Sequence, residues 1–395
     1  MSRVVVTGVG VISALGNSVL SCQDALVKGT CGIGNADLVQ SKYAGSLRFG
    51  EVKIENSKLK EQFNVRDAGA TRTYLLALHA VDEAIRYSGL EPSQISSYDT
   101  ALIGASTVGG MCHTDELYHD AKSETNGSVY MASYDCASVF LLLRERFGIK
   151  GITNTINTAC SSSANAIMYG TQLIQNGFAK RAIVGGVDSL AKFTINGFNS
   201  LGILSPGFCR PFDRERNGLN LGEGAAFLVL EREEDLQGRK RYCFVAGYCN
   251  SNDAFHSSSL SDNGEGPYLA MKGALEKASL SQEAIGFVNT HGTGTVNNDE
   301  VESRAMMRIF EKVPPFASSK SKIGHTLGAS AAVEAVFSIL ALKHGEVFPS
   351  LNFTNPIEST GLIPVLETQK INLDHVMTNS FGFGGNCTSL IFSKA

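Results

Sequence analysis

The sequence predicts an α/β protein made of two similar halves that pack against each other. Short, β-rich apolar runs alternate with longer stretches in which apolar residues recur at helical spacing. The chain has 395 residues, 43% of them hydrophobic, so it can bury more than one small core. A weak internal echo between VVVTGVG near the N-terminus and FVAGYCN from Phe244 favours halves that span 1–243 and 244–395.

The local pattern predicts each element. Apolar, mostly β-branched runs predict strands at 4–6, 101–103, 182–187 and 287–288. Apolar residues that share one helical face predict helices over 72–88, 161–176 and 328–344. Gly177 and Gly345 follow the last two of these segments, where glycine readily takes the left-handed backbone that ends a helix.

The bulk composition argues against several classes of protein. A net charge of −4, from 34 basic and 38 acidic side chains, gives no general attraction to nucleic acid or to an anionic membrane. The apolar opening segment contains glycines and lacks the charged start of a signal peptide, so we expect a buried strand there. No apolar run reaches the roughly 18 to 20 residues of a membrane-spanning helix. Nine cysteines without C-x-x-C spacing predict neither a disulfide framework nor a metal site, and we expect a cytoplasmic protein.

Cys160 is the first candidate for chemistry. A β-like run ends at Asn157, and Cys160 stands directly before a helix of small residues, TACSSSANAIMYG. The free N–H groups and the positive end of a helix dipole favour a thiolate, and the same N–H groups could hold an oxyanion. Read alone, a cysteine here is more often a small buried filler, but its small neighbours would let a substrate approach closely.

His291 is the second candidate, because IGFVNTHGTGT places it at the end of a predicted strand, before a helix that begins near Asn298. Ligands of α/β sheets bind at the carboxyl ends of strands, and the hydroxyls of Thr293 and Thr295 suit an amide-rich arm such as pantetheine. A histidine that only caps a turn is an equally good interpretation of this segment alone.

Two further motifs lie near the C-terminus. In KSKIGHTLGASAAVE, Lys320, His325 and Glu334 gather around the start of a long helix and suggest a charge network, although a lone lysine is usually a solvated surface residue. In NSFGFGGN, Phe381 and Phe383 lie in a glycine-rich connection whose N–H groups and aromatic rings could border an apolar tunnel. An ordinary glycine-rich hairpin is the alternative.

Together these motifs resemble the β-ketoacyl-acyl carrier protein synthases, above all synthase II and the ketosynthase subunits of type II polyketide systems. The matching segments, in the family's order, are T-A-C-S-S at 158–162, RPFDRERNGLNLGEGAAFLVLE at 210–231, NDAFH at 252–256, H-G-T-G-T at 291–295, K-S-K-I-G-H at 320–325 and N-S-F-G-F-G-G-N at 379–386. The resemblance covers essentially the whole chain and implies a thiolase-like fold of five α/β/α/β/α layers.

The resemblance also implies roles. Cys160 would carry the acyl group, His291 and His325 would bind and help decarboxylate a malonyl thioester, and Lys320 would support them with Glu334 nearby. The N–H groups of Cys160 and Phe383 would form the oxyanion hole, with Phe381 beside them at the gate. No metal or other cofactor is implied, because the pantetheine arm of an acyl carrier protein brings the substrates.

Other residues are weaker candidates from the same resemblance. Val108 and Met111 match the position where the family gates its acyl pocket, although core packing is nearly as good an interpretation. Arg66 and Arg72 are candidates for contact with the carrier protein, in a stretch less basic than the family usually shows. Only residues 206–209 separate Leu204-Ser205 from R-P-F-D, where the family usually has a longer loop.

Alternatives remain open at the level of function. Thiolases use a second cysteine where this chain has FGFGG, and plant-type polyketide synthases use one histidine and an asparagine. An enzyme of polyene or polyketide synthesis and a housekeeping fatty acid synthase II both fit. A chain-length-factor-like partner subunit, which is not an enzyme, fits less well because such subunits lack the reactive cysteine. The resemblance implies a homodimer or a heterodimer with a related subunit.

Overall fold

The computed structural model describes residues 2–123, 127–236 and 238–395. The strands are β1 (Val4–Ser13), β2 (Phe49–Gly50), β3 (Thr100–Ala105), β4 (Thr153–Ile156), β5 (Arg181–Asp188), β6 (Leu221–Gly222), β7 (Gly224–Arg232), β8 (Cys243–Asn252), β9 (Phe287–Asn289), β10 (Phe316–Ala317), β11 (Glu346–Val347), β12 (Gln369–Lys370), β13 (His375–Phe381) and β14 (Asn386–Lys394). The α-helices are α1 (Val19–Val27), α2 (Asn56–Phe63), α3 (Arg72–Ser88), α4 (Pro92–Ile95), α5 (Thr114–Ser123), α6 (Cys136–Phe147), α7 (Ser162–Gln175), α8 (Lys192–Ser200), α9 (Glu265–Ala278), α10 (Val296–Ile309), α11 (Lys320–Ile323) and α12 (Ser330–His344).

Ten strands form one sheet whose two halves repeat the same topology. Outward from the middle, the N-terminal half runs β1-β7-β5-β3-β4 and the C-terminal half runs β8-β14-β13-β9-β10. In both halves the two inner pairs of neighbours are antiparallel and the two outer pairs are parallel. The same order and the same directions confirm the predicted pair of similar halves.

The halves meet where β1 pairs with β8. Two residue pairs join these strands, Val5 with Phe244 and Val6 with Cys243. We propose a boundary between the halves at residue 243, where β8 begins.

The helices add three layers to the two half-sheets. α3 packs on β1 and β7 on the outer side of the N-terminal half, and α9 packs on β8 and β14 on the outer side of the C-terminal half. Between the halves, α7 contacts strands β5 and β14, while α12 contacts β7 and β13. The order helix, sheet, helix, sheet, helix is the five-layered arrangement that we expected.

Most residues of the central helix α12 are apolar and buried, as is typical of a helix enclosed within a fold. By length and composition alone, the segment Leu327–His344 could span a membrane. The expectation that no apolar run of this chain reaches that length is therefore wrong. However, 89% of it is buried within the protein. It is therefore the core helix of the fold, and its composition reflects packing between two sheets.

The predicted elements are confirmed, with small shifts at their ends. The segments 72–88, 161–176 and 328–344 contain α3, α7 and α12, and the four predicted runs lie in β1, β3, β5 and β9. Gly345 caps α12 in the left-handed conformation at φ 63°, and Gly177, at φ 80°, follows α7 by two residues.

Candidate active site

Cys160 lies at a tight turn between β4 and α7. Ala159, just before it, has a left-handed backbone at φ 53°, which is strained for a residue with a side chain. The Ser162 hydroxyl holds this turn closed, since it accepts from Thr158 N at 2.8 Å and donates to the Ala159 carbonyl oxygen at 2.5 Å. The turn presents Cys160 at the start of α7, as predicted, with 6% of the residue exposed.

The fold brings both predicted histidines to this cysteine. His291 follows β9, and His325 follows the short helix α11. Their rings stand edge to face with centroids 5.5 Å apart. One ring nitrogen of each histidine and the sulfur of Cys160 all lie within 4.8 Å of one another.

Hydrogen bonds assign the tautomer of each imidazole. The Leu327 N–H donates to His325 Nδ1 at 3.0 Å, so the proton of neutral His325 is on Nε2. Lys320 Nζ lies 3.3 Å from His291 Nδ1 and donates to the His291 carbonyl oxygen at 2.6 Å, which gives His291 the same tautomer. Burial and the neighbouring Lys320 charge hold the pKa of both histidines well below its ordinary value. Since Nδ1 of each ring already has a partner, Nε2–H is the group that each neutral histidine can donate.

Lys320 is buried, not solvated, and forms an ion pair with Glu334 on α12. Burial raises the pKa of the Glu334 carboxyl to about 7, although the Lys320 charge acts in the opposite direction. The other Glu334 oxygen, Oε2, is buried without a hydrogen-bond partner among the described residues. This pair places the ammonium group beside His291.

The glycine-rich connection between β13 and β14 supplies the predicted N–H group. The N–H groups of Phe383 and of Cys160 itself lie near enough to the Cys160 sulfur to lower the pKa of its thiol. Gly382 permits this approach, because a Cβ there would lie 2.8 Å from the Thr158 carbonyl oxygen. The Phe381 ring lies 5.9 Å from that of His291, so both phenylalanines border the site.

Two cavities meet at Cys160. One, of about 320 Å³, is lined by Thr293 and Thr295, whose hydroxyls hydrogen bond to each other at 2.8 Å, and by both histidines. The other, of about 500 Å³, is mainly apolar. It is lined among others by Val108, Met111, Phe193, Leu201 and Leu327. The rings of Phe198 and Phe383 stack 5.8 Å apart and border both cavities.

The charge state of Cys160 differs from the expected thiolate. Burial raises the pKa of its thiol to about 11, and this outweighs the lowering by Lys320 and by the N–H groups of Phe383 and Cys160. The start of α7 therefore does not make the thiolate the resting form. The thiol proton has to leave when the sulfur attacks.

We expect alkylation of Cys160 by iodoacetamide to rise about tenfold per pH unit from neutral pH upward, because only the thiolate reacts. The midpoint should lie near 11, the value to which burial raises the thiol pKa. Mass spectrometry of the Cys160 peptide after timed quenching measures the rate, within the pH range where the circular dichroism is unchanged. A rate that levels off below about pH 8 would show a resting thiolate instead.

The two arginine candidates have different surroundings. Arg66 is exposed on the segment between α2 and α3 and remains available to a partner. Arg72 is buried and pairs with Glu223, with Nη2 and Oε1 2.6 Å apart, and it also donates to the Val52 carbonyl oxygen. This ion pair joins α3 to the loop before β7, so the prediction that Arg72 contacts a carrier protein is wrong.

Sequence reasoning missed two supporting side chains. Glu302 on α10 accepts from His291 N at 2.9 Å and from Gly292 N at 2.8 Å, and burial raises the pKa of its carboxyl to about 7. Asn386 Oδ1 accepts from Ser161 at 2.7 Å and from Asn165 at 2.9 Å, which ties β14 to the start of α7. The sequence does contain a signal for Glu302. It lies on the helix that follows H-G-T-G-T, three residues after Asp299 and therefore on the same helical face.

Comparison with known sequences agrees with this geometry. The family described as "Beta-ketoacyl synthase, N-terminal domain" matches residues 1–236, and "Beta-ketoacyl synthase, C-terminal domain" matches residues 242–354. "3-oxoacyl-[acyl-carrier-protein] synthase 2" of Vibrio cholerae is 31% identical over 412 residues, which cover 99% of each chain.

Solved structures show the same fold. "The ishigamide ketosynthase/chain length factor" superposes with a TM-score of 0.92 at 27% identity, over 100% of this chain and 99% of that one. The ketosynthase ApeO from Xenorhabdus doucetiae, solved in complex with its chain length factor ApeC, gives a TM-score of 0.87 at 31% identity, over 100% and 98% of the chains. The thiolase-like fold is therefore confirmed.

Proposed function

This chain belongs to the β-ketoacyl synthase family and is a condensing acyltransferase of fatty acid or polyketide biosynthesis, and we propose that Cys160, His291 and His325 perform its chemistry. The observation that carries this proposal is one sulfur and two imidazole nitrogens within 4.8 Å of one another, where two cavities meet. A nucleophile and two hydrogen-bond donors thus act at one point.

In the first step, the Cys160 sulfur attacks the carbonyl carbon of an acyl thioester. We propose that the N–H groups of Cys160 and Phe383, which lower the pKa of the Cys160 thiol, hold the carbonyl oxygen as it becomes negative. The carrier's sulfur leaves as the carbon–sulfur bond to Cys160 forms. The proton of the Cys160 thiol ends on that departing sulfur, so no net charge remains in the buried site.

In the second step, the malonyl thioester loses carbon dioxide. Its carbonyl oxygen becomes an enolate oxygen and accepts hydrogen bonds from Nε2–H of His291 and His325. Imidazoles held neutral donate these bonds without giving up a proton. The enolate carbon then attacks the acyl carbon on Cys160, and a carbon–carbon bond forms. The Cys160 sulfur leaves as a thiolate that carries the negative charge of the former malonyl carboxylate, and it takes up one proton from solvent.

The cavities divide the substrates. The apolar cavity behind Phe383 suits an acyl chain, and the channel with the Thr293 and Thr295 hydroxyls suits the amide-rich pantetheine arm. We propose an acyl carrier protein as the donor of both thioesters, because the Vibrio cholerae relative is named for that carrier. The steps use no metal ion or redox cofactor, as expected from the resemblance.

We extend the proposal to the assembly and the pathway. A homodimer or a heterodimer with a related subunit is supported by the ApeO structure, a ketosynthase in complex with a chain length factor. The short loop at 206–209 favours a specialised polyene or polyketide enzyme over a housekeeping synthase II. We also propose a cytoplasmic location. A non-catalytic partner subunit is the second candidate, but the complete Cys160, His291 and His325 cluster favours an enzyme.

The variant His325→Ala tests whether this histidine acts in malonyl decarboxylation and not in acylation of Cys160. We expect His325→Ala to slow malonyl decarboxylation on the order of 100-fold or more, because it removes one donor from the enolate oxygen. Acylation of Cys160, followed by intact mass, should fall far less. His79→Ala is a matched control, since His79 is a buried histidine bonded to the Asn17 carbonyl oxygen, outside the site. Undiminished carbon dioxide release by His325→Ala would contradict the assignment.

A further inference from the structure

Asp188, the last residue of β5, is a buried carboxylate that none of the steps above uses. Its side chain is 0% exposed, and no cationic side chain within residues 2–123, 127–236 and 238–395 forms an ion pair with it. Burial raises the pKa of this carboxyl, and only hydrogen bonds act in the opposite direction among its main influences. A carboxylate kept in such a place without a counter-charge needs several donors around it.

Those donors come from two different loops. Oδ1 accepts from the Ser106 hydroxyl at 2.8 Å and from Val108 N at 2.8 Å. Oδ2 accepts from the Thr107 hydroxyl at 2.6 Å and from Gly328 N at 2.7 Å. The carboxylate therefore bridges the loop after β3 and the turn after His325.

Both loops belong to the reaction site. Thr107 and Val108 line the apolar cavity, and so does Leu327, the residue before Gly328. Leu327 has a left-handed backbone at φ 53°, and its N–H group is the donor that fixes the tautomer of His325. If the wall of the apolar cavity moves Val108, the Asp188 carboxylate would therefore shift as well. That shift would displace the turn after His325 and with it the imidazole.

We propose that Asp188 is a positioning residue that ties the wall of the apolar cavity to His325, so that the acyl chain on Cys160 governs how well malonyl thioester is decarboxylated. This inference rests on the proposed function of the cavity and of His325. It deepens that function by making the identity of the first substrate control the rate of the second step. The Gly328 position supports it, because a Cβ there would lie 2.8 Å from Asp188 Oδ2 and leave the bridge no room.

The test is Asp188→Asn, which keeps the shape but replaces one acceptor oxygen by a donating amide. Whichever way the amide turns, the donors on one side lose their acceptor oxygen: Gly328 N and the Thr107 hydroxyl, or Val108 N and the Ser106 hydroxyl. The bridge between the two loops is then weakened. We expect malonyl decarboxylation without acyl donor to fall about tenfold to 100-fold, as for other small misplacements of catalytic groups. The ratio of condensation rates between a long and a short saturated acyl donor should move toward one.

Glu83→Gln is the matched control, because Glu83 is also a buried carboxylate, bonded to Val11 N and Val19 N at 2.9 Å, away from the site. It should lower the melting temperature without changing that ratio. If Asp188→Asn does not fold, Thr107→Val removes a single bond to Oδ2 and should shift the ratio in the same direction by less.

The outcomes distinguish a failure of the proposed function from a failure of the role of Asp188. A wild-type protein that neither takes up acyl groups on Cys160 nor decarboxylates malonyl thioester would overturn the proposed function itself. If wild type does both, an unchanged chain-length ratio in Asp188→Asn and Thr107→Val would overturn the role of Asp188 alone. Asp188→Asn could instead lower all rates equally, and Glu83→Gln could do the same at an equal melting temperature. Asp188 would then only stabilise the fold, and its role as a positioning residue would be overturned as well.

Discussion

Cys160→Ala should abolish formation of β-ketoacyl product, with a loss on the order of 10⁴-fold or more, because the acyl group then has no sulfur to bond to. Intact mass after incubation with acyl-carrier protein should show acylated wild type and unmodified variant. Malonyl decarboxylation should survive in the variant, since His291 and His325 keep their places and their hydrogen bonds to Lys320 and Leu327.

The control for this prediction is Cys243→Ala. Cys243 is a fully buried thiol at the seam between β1 and β8, so its removal also leaves a small cavity but not a change in chemistry. If Cys160→Ala formed product as fast as Cys243→Ala does, Cys160 would not be the nucleophile. Complete loss of decarboxylation in Cys160→Ala would instead show that the sulfur helps to hold the malonyl group.

Lys320→Met should have the largest effect on stability, with a loss of about 3 to 5 kcal/mol in the free energy of unfolding. It leaves Glu334 buried without its cation, and Oε2 of that carboxyl already lacks a partner among the described residues. It also removes the donor next to His291 Nδ1, so malonyl decarboxylation should fall as well. Chemical denaturation measures the first effect and carbon dioxide release the second.

The loss of stability should grow with pH. The pKa of Glu334 is raised in the folded protein to about 7, and without Lys320 it rises further, so the folded variant must keep this carboxyl protonated. A raised pKa stabilises the fold below the unfolded value and loses that contribution as pH increases. Denaturation at about pH 5 and about pH 8 should therefore show the greater deficit at the higher pH.

A double variant separates charge from catalysis. Lys320→Met with Glu334→Leu removes both buried charges and should recover most of the lost stability, as apolar replacements of buried ion pairs often do. It should not recover decarboxylation, because His291 still lacks its neighbour. Equal stability of the single and double variants would show that the pair contributes little and that packing of the lysine stem dominates.

The sequence allowed the candidate site to be located because its motifs are local. Cys160, His291 and His325 each stand at the junction of a strand or turn with a helix, and apolar periodicity placed α7 and α12 within two residues. The fold class followed in the same way. The internal echo was weak, yet the strand order confirms two similar halves.

What could not be predicted depends on contacts between distant segments. Arg72 resembles a surface arginine in sequence, and only the approach of Glu223, 151 residues away, shows that it is buried. The expected thiolate followed from the start of α7 alone, whereas the pKa of Cys160 also depends on how completely other segments cover the sulfur. Asp188 gives no local signal, because its donors come from the loop after β3 and from Gly328.

The site is assembled from both halves of the sheet, with the sulfur in the turn before α7 of one half and the imidazoles after β9 and α11 of the other. Two residue pairs between β1 and β8, together with the packing of α7 and α12, keep these halves in register. Catalytic turnover therefore reports whether the two halves of the sheet are still packed together. In denaturant, activity should disappear as soon as the halves part, even while each still retains its helices and its circular dichroism.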